Sequence, residues 1–105
     1  MRKTGLLFLV AMSLSVFAVA VPFTLRNNSL KSIQLQIPGV MNPNLSPVSN
    51  SGVDLAVGQK IYFFENGKKG AFQKKYLLLE VTEDLKDQKL DVEKLIKQRK
   101  EELGL

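Results

Sequence analysis

The chain has 105 residues, is 45% apolar, carries a formal charge of +5 and contains no cysteine, histidine or tryptophan. That length accommodates one small domain. The missing residue types exclude a disulfide framework, thiol chemistry, iron–sulfur and thiolate zinc sites, Ser-His-Asp catalysis and the usual copper and zinc ligand sets.

The first twenty residues differ from the rest, and fourteen of them are apolar. Arg2 and Lys3 form a short positive region, an apolar stretch runs from Leu6 to Phe17, and Ala18-Val19-Ala20 supplies small residues before Val21. This three-part layout predicts a signal peptide over residues 1–20, cut before Val21. The competing reading is an uncleaved anchor, because the run from Gly5 to Val21 reaches the lower length limit of a spanning helix. Under the cleavage reading, membrane contact is confined to the signal segment before the cut. The expected location is therefore outside the cytoplasm, periplasmic or secreted. A cysteine-free exported domain of this size lives on its core alone, which fits a bacterial envelope. Asn27-Asn28-Ser29 and Asn44-Leu45-Ser46 match the N-glycosylation pattern, which carries no meaning in a bacterial protein.

Residues 21–105 read as a single small β-rich domain with a net charge of +3. Phe23 to Arg26 alternates apolar and polar, then meets the turn cluster Asn27-Asn28-Ser29. Ser32 to Ile37 alternates without exception, which points Ile33, Leu35 and Ile37 to a core. Pro38-Gly39 is suited to a type II turn. Val53 to Val57 alternates again, and Gly58-Gln59 is a turn into the next strand. Ile61 to Phe64 and Leu77 to Leu79 are apolar on both faces, so both strands are expected to be central. Asn66-Gly67 opens the connection between them. From Asp91, an N-cap, residues 91–103 carry a helical stripe of Val92, Leu95, Ile96, Arg99 and Leu103. Glu93 and Lys97 are spaced for an ion pair, and Gly104 is placed for a left-handed cap with Leu105 packing back. The expected fold is mainly β: an antiparallel β-sandwich or half-open barrel of about five strands, with the amphipathic C-terminal helix covering an open side. A single sheet with the helix on one face is the alternative.

Three features invite a functional reading. The first is the segment Pro38 to Gly52, long and rich in Pro, Gly, Asn and Ser. There Met41 and Leu45 are candidate exposed anchors, with Asn42 and Asn44 as adaptable hydrogen-bonding groups. The plainer reading is a crossover tucked into the sandwich rim, with a short edge strand near Val48. The second is the basic hairpin end, Lys68, Lys69, Lys74 and Lys75, with Phe72 and Tyr76 interleaved. Residues 21–81 hold seven basic and three acidic side chains, whereas residues 82–105 hold six and seven. A basic loop with aromatics fits phosphates, acidic glycans or an anionic membrane surface. A solvated tip whose lysines discourage edge pairing accounts for the same residues. The third is the carboxylate group Glu80, Glu83, Asp84 and Asp87, which could supply a pair for glycoside hydrolysis or ligands for calcium, although its spacing fits neither an EF-hand loop nor any fixed motif; a charged connector before the helix is the plainer reading.

The alternating strands behind an export signal resemble small envelope β-sandwich domains in general, including the cupredoxin-like architecture. The likeness is one of layout, and without His or Cys it implies no copper site. The sequence reading is thus an exported, non-enzymatic binding domain that needs no cofactor or metal. Its partner would be an envelope protein or an anionic glycan or lipid surface, and not a nucleic acid, since no recognisable nucleic-acid module is present. The alternatives are a structural subunit of an envelope assembly joined through strand edges, or a small hydrolase using carboxylates or Ser and Lys.

Overall fold

The computed structural model describes residues 20–66 and 74–105; the expected signal segment up to residue 19 lies outside them. The elements in chain order are β1 (Ala20–Asn27), β2 (Ile33–Gln36), β3 (Asn44–Leu45), β4 (Ser49–Ala56), β5 (Lys60–Phe64), β6 (Lys75–Glu80), a 3-10 turn (Glu83–Leu85), β7 (Lys89–Asp91) and helix α1 (Val92–Leu103). They form two sheets. Sheet I has the order β4-β1-β7 and sheet II the order β3-β2-β5-β6. The fold is the expected small, mainly β sandwich with a C-terminal helix. It has seven strands among the described residues, and one pair, β1 with β7, is parallel.

Alternation builds the core. Val21, Phe23 and Leu25 of β1 and Val53 and Leu55 of β4 meet Ile33, Leu35, Leu45, Ile61 and Phe63 from the other sheet. Each such buried side chain contributes roughly 1.5–3 kcal/mol relative to exposure. Val21 is the first core residue among those described.

One buried polar side chain ties the sheets together. Asn27, fully buried at the end of β1, donates from Nδ2 to the carbonyls of Lys31 (2.8 Å), Leu45 (3.1 Å) and Ser46 (3.1 Å). Its Oδ1 accepts from the amide (2.9 Å) and hydroxyl (2.7 Å) of Ser29. The amide therefore meets the backbone where the chain leaves sheet I and where β3 ends; the Lys31 and Ser46 carbonyls also accept from the Ser29 and Ser49 hydroxyls, whereas the Leu45 carbonyl is the buried one.

The segment expected as a long loop is largely ordered by pairing. Ile37-Pro38-Gly39-Val40 forms the type II turn, with Gly39 at φ 78° and the Val40 amide donating to the Ile37 carbonyl at 3.0 Å. Ile37 and Met41 then bridge. β3 pairs with β2, and β4 begins at Ser49, because Ser49 to Gly52 pair with Asn27 to Thr24 of β1 although they lack any apolar alternation. The short edge strand lies at Asn44–Leu45, and Val48 instead occupies a turn.

β5 is internal, as its two apolar faces predict, but β6 is an edge strand. A bulge accounts for the run Leu77 to Leu79: Ile61 faces Leu79, Tyr62 faces Leu77, and Leu78 is the extra residue, turned into the core. Helix α1 does not lie on the outer apolar face of these strands. It packs against β1, β6 and β7, closing the side of the sandwich where β6 and β7 are the edges. Asp91 caps it as expected, accepting from the Lys94 amide at 3.1 Å. Gly104 ends it at φ 76°, and the Leu105 amide donates to the Lys100 carbonyl at 2.9 Å. The Leu105 side chain stays exposed rather than packing back. Glu93 and Lys97 do not pair; both are solvated, and holding two long exposed side chains together gains little. The ion pair of this helix is Arg99 with Glu102 at 3.0 Å.

Candidate functional site

The outer face of sheet II collects the candidates that the sequence left far apart. Period two turns Gln34 and Gln36 of β2 outward, opposite to the buried Ile33 and Leu35. On β5 the same alternation puts Lys60, Tyr62 and Phe64 on this side of the sheet, with Lys60 exposed, Tyr62 half-buried and Phe64 covered, at 6% exposed. Register then sets the rows. Asn44 stands beside Gln34, Gln36 beside Tyr62, and Phe64 beside Lys75.

Lys75 is the organised charge of this face. Its Nζ donates to Gln36 Oε1 at 2.7 Å and lies 4.8 Å from the centre of the Tyr62 ring. An ammonium over an aromatic face gains electrostatically from the ring quadrupole. The two contacts hold the head group above the sheet with further N–H donors available. Next to it, Gln34, Asn42, Asn44 and Phe64 line a small cleft of about 140 Å³. Amides at its rim and an aromatic wall offer donors, acceptors and apolar contact within one surface. Gln34 is itself held by a partner.

The structure therefore unites Asn42, Asn44 and Lys75. Met41 is 38% exposed, at the end of the type II turn, outside this cleft. Leu45 corrects the expectation of an exposed anchor: it is 1% exposed. Pairing with Ile33 turns it to the core side of β3, so the anchor role fails by one residue of register. Lys74 is exposed just before β6, where its carbonyl accepts from the Glu65 amide at 3.2 Å. Lys68, Lys69 and Phe72 lie outside the described residues. The residues that sequence reasoning missed are Gln34, Gln36, Tyr62 and Phe64. Their outward alternation was legible, but not the pairing of β2 with β5 that joins them.

The carboxylates gather no such site. Glu83 and Asp84 sit in the exposed 3-10 turn, where the Thr82 hydroxyl donates to Asp84. Among the described residues no three His, Cys, Asp or Glu side chains group to hold a metal ion. Asp54 and Asp87 border a shallow, open depression over Gly52 on the outer face of sheet I, together with Pro22 and Thr24. Asn27, in the first glycosylation tripeptide, is buried, and Asn44, in the second, is exposed. Among the described residues no helix is long and apolar enough to cross a membrane.

Comparison with protein-family models, with curated proteins and with solved structures finds no match to this chain.

Proposed function

We propose that the chain is exported, that the segment 1–20 is removed, and that the domain is a non-enzymatic binding module for an anionic glycan on the outer face of sheet II. The observation that carries the reading is Lys75, fixed between Gln36 and Tyr62 at the end of a row of side-chain amides. A sugar hydroxyl both donates and accepts, which suits Asn and Gln, while a carboxylate or sulfate group suits the held ammonium. The positive balance of residues 21–81 adds long-range attraction for a polyanion. The openness of the face favours binding over catalysis, since a catalytic group gains most in a site that excludes water. Export is supported by the three-part layout of residues 1–20 and by Val21, the first residue after the expected cut, which is already buried in the core.

The test is retention on immobilised heparin, a sulfated polysaccharide, beside neutral dextran. Heparin should retain the protein and release it steeply with salt, as exposed charge contacts are screened. K75Q should weaken binding at least about tenfold, the cost of one charge-assisted hydrogen bond. Equal retention on dextran, or no effect of K75Q combined with N44A, would overturn the reading. Intact mass of the exported protein tests the cut: a chain still beginning at Met1 removes it.

A further inference from the structure

The four terminal strands of the two sheets are not protected alike. In sheet II, β3 is only two residues long and lies between Pro43 and Pro47. β6 begins next to Lys74 and Lys75, carries the bulge, and has its Leu77 carbonyl taken by Arg99 Nε at 2.8 Å. In sheet I, β7 is three residues long and runs directly into the helix. Short length, lysine, proline, bulges and a covering helix are the devices that stop edge pairing. Among the described residues β4 has none of them. It is eight residues long, contains no Lys, Arg or Pro, and pairs with β1 in an unbroken register. Among the described residues no strand pairs with its outer side.

Backbone directions along β4 follow from its neighbour. The Thr24 amide donates to the Gln88 carbonyl at 2.9 Å, and the Pro22 carbonyl accepts from the Asp87 amide at 2.7 Å. Pro22 and Thr24 therefore turn their backbone groups toward β7, and by alternation Val21, Phe23 and Leu25 turn theirs toward β4. Their partners Leu55, Val53 and Ser51 complete that ladder. The intervening Asn50, Gly52 and Asp54 point their N–H and C=O groups off the free edge.

These three positions are complementary to themselves. We infer that β4 pairs antiparallel with β4 of a second copy of this chain, on a twofold axis through Gly52, to make one continuous six-stranded sheet. In that register Gly52 faces Gly52 of the second copy, and Asn50 faces Asp54 twice. Every outward backbone group of the three residues is used. Asn50 already accepts from Arg26 Nη1 through Oδ1 at 3.5 Å, which leaves its Nδ2 to donate to the facing carboxylate. The two Asp54 side chains are kept apart by the register, so no like charges meet. At the axis Gly52 presents no side chain, and a Cβ built there meets nothing within 4 Å. This inference does not depend on glycan binding.

Sedimentation equilibrium of the purified protein over a concentration series should show a monomer–dimer equilibrium. G52P removes only an outward N–H, leaves the β1 ladder intact and should give a monomer at every concentration. N50D places Asp opposite Asp54 in both halves while pairing with Arg26 within the chain, so the fold is kept. It should weaken the dimer roughly tenfold, and N50D with D54N should restore it. The chain has no cysteine, so G52C gives a single thiol at the axis, where facing Cα atoms lie within disulfide range. Oxidation should yield a covalent dimer with G52C and none with D54C. A monomer throughout the series overturns the inference, as does a dimer indifferent to N50D and uncrosslinked by G52C. The N50D and cysteine results decide the matter even where G52P fails to fold.

Discussion

The two sheets bury similar inner faces and differ outside them. Sheet I shows solvent Pro22, Thr24, Arg26, Asn50 and Asp54 around the bare backbone of Gly52 and, among the described residues, leaves its longest edge unpaired. Sheet II shows long amides, the half-buried Tyr62 ring and a held ammonium, and both of its edges are blocked. The difference teaches that edge and face are separate resources in a small sandwich. A sheet reserved for surface contact gains from edges that cannot pair, because a strand added there would extend or bury the face. A sheet reserved for assembly needs only a regular backbone, and short side chains keep its approach clear.

The largest expected effects lie on the inner faces, where the two sheets should behave as one. Phe63 is fully buried beside Tyr76, with ring centres 5.8 Å apart. Phe63→Ala should cost about 3–5 kcal/mol through lost contacts and a cavity. Urea unfolding followed by circular dichroism and by tyrosine fluorescence should shift in a single shared transition. Two separate transitions would show that the sheets fold apart and would break the comparison at its base. Next in size is Asn27→Ala, which removes five hydrogen bonds at the crossing between the sheets and leaves the buried Leu45 carbonyl without its side-chain donor. A loss of about 2–4 kcal/mol is expected, against less than about 1 kcal/mol for the exposed neighbour Asn28→Ala. Equal losses at the two positions would deny Asn27 its role.

The contrast between Asn27 and Asp91 shows what the sequence could disclose. Asp91, the Pro38-Gly39 turn, Gly104 and the inward set Ile33, Leu35 and Ile37 were legible because each is decided by neighbours a few residues away. Asn27 looked like one member of a turn cluster, yet its partners Leu45 and Ser46 lie eighteen and nineteen residues on. Lys89 to Asp91 has no strand pattern and is a strand because β1 accepts it in parallel. Ser49 to Gly52 is likewise a strand through its register with β1. The candidate site suffered in the same way. Lys75 and Gln36 are thirty-nine residues apart, and only the order β2-β5-β6 brings them into contact. Leu45 was misread because a two-residue strand offers too short an alternation to fix which side faces the core.

A smaller effect bears on the guarded edge of sheet II. Arg99 lies part-buried on α1, donates to the Leu77 carbonyl and pairs with Glu102. Arg99→Ala should cost about 1–2 kcal/mol. Hydrogen exchange should then quicken in β6 while β4 and β1 keep their protection. Arg99→Lys should recover only part of the loss, since an ammonium lacks the planar fork that serves both acceptors. Unchanged exchange in β6 would mean that the helix, and not this one side chain, protects the edge.

The smallest expected effect is a gain, at the point where the chain passes from sheet II to sheet I. Val48 sits at φ 50° between β3 and β4, with its amide donating to the Ser29 carbonyl at 3.1 Å. A β-branched residue in the left-handed region crowds its own backbone, at a cost of roughly 1–2 kcal/mol. The side chain is 52% exposed and returns little packing for that strain. Val48→Gly keeps the amide and its hydrogen bond, removes the crowding, and loses roughly 0.5–1 kcal/mol to the greater freedom of the unfolded chain. The balance is a stabilisation of about 0.5–1 kcal/mol, or a rise in Tm of roughly 2–5 °C for a domain this small. Val48→Asn, which tolerates the same conformation, should gain a similar amount. A fall in Tm for both variants would mean that the apolar surface of Val48 holds the two sheets in place at their crossing, in which case the junction and not only Asn27 couples them.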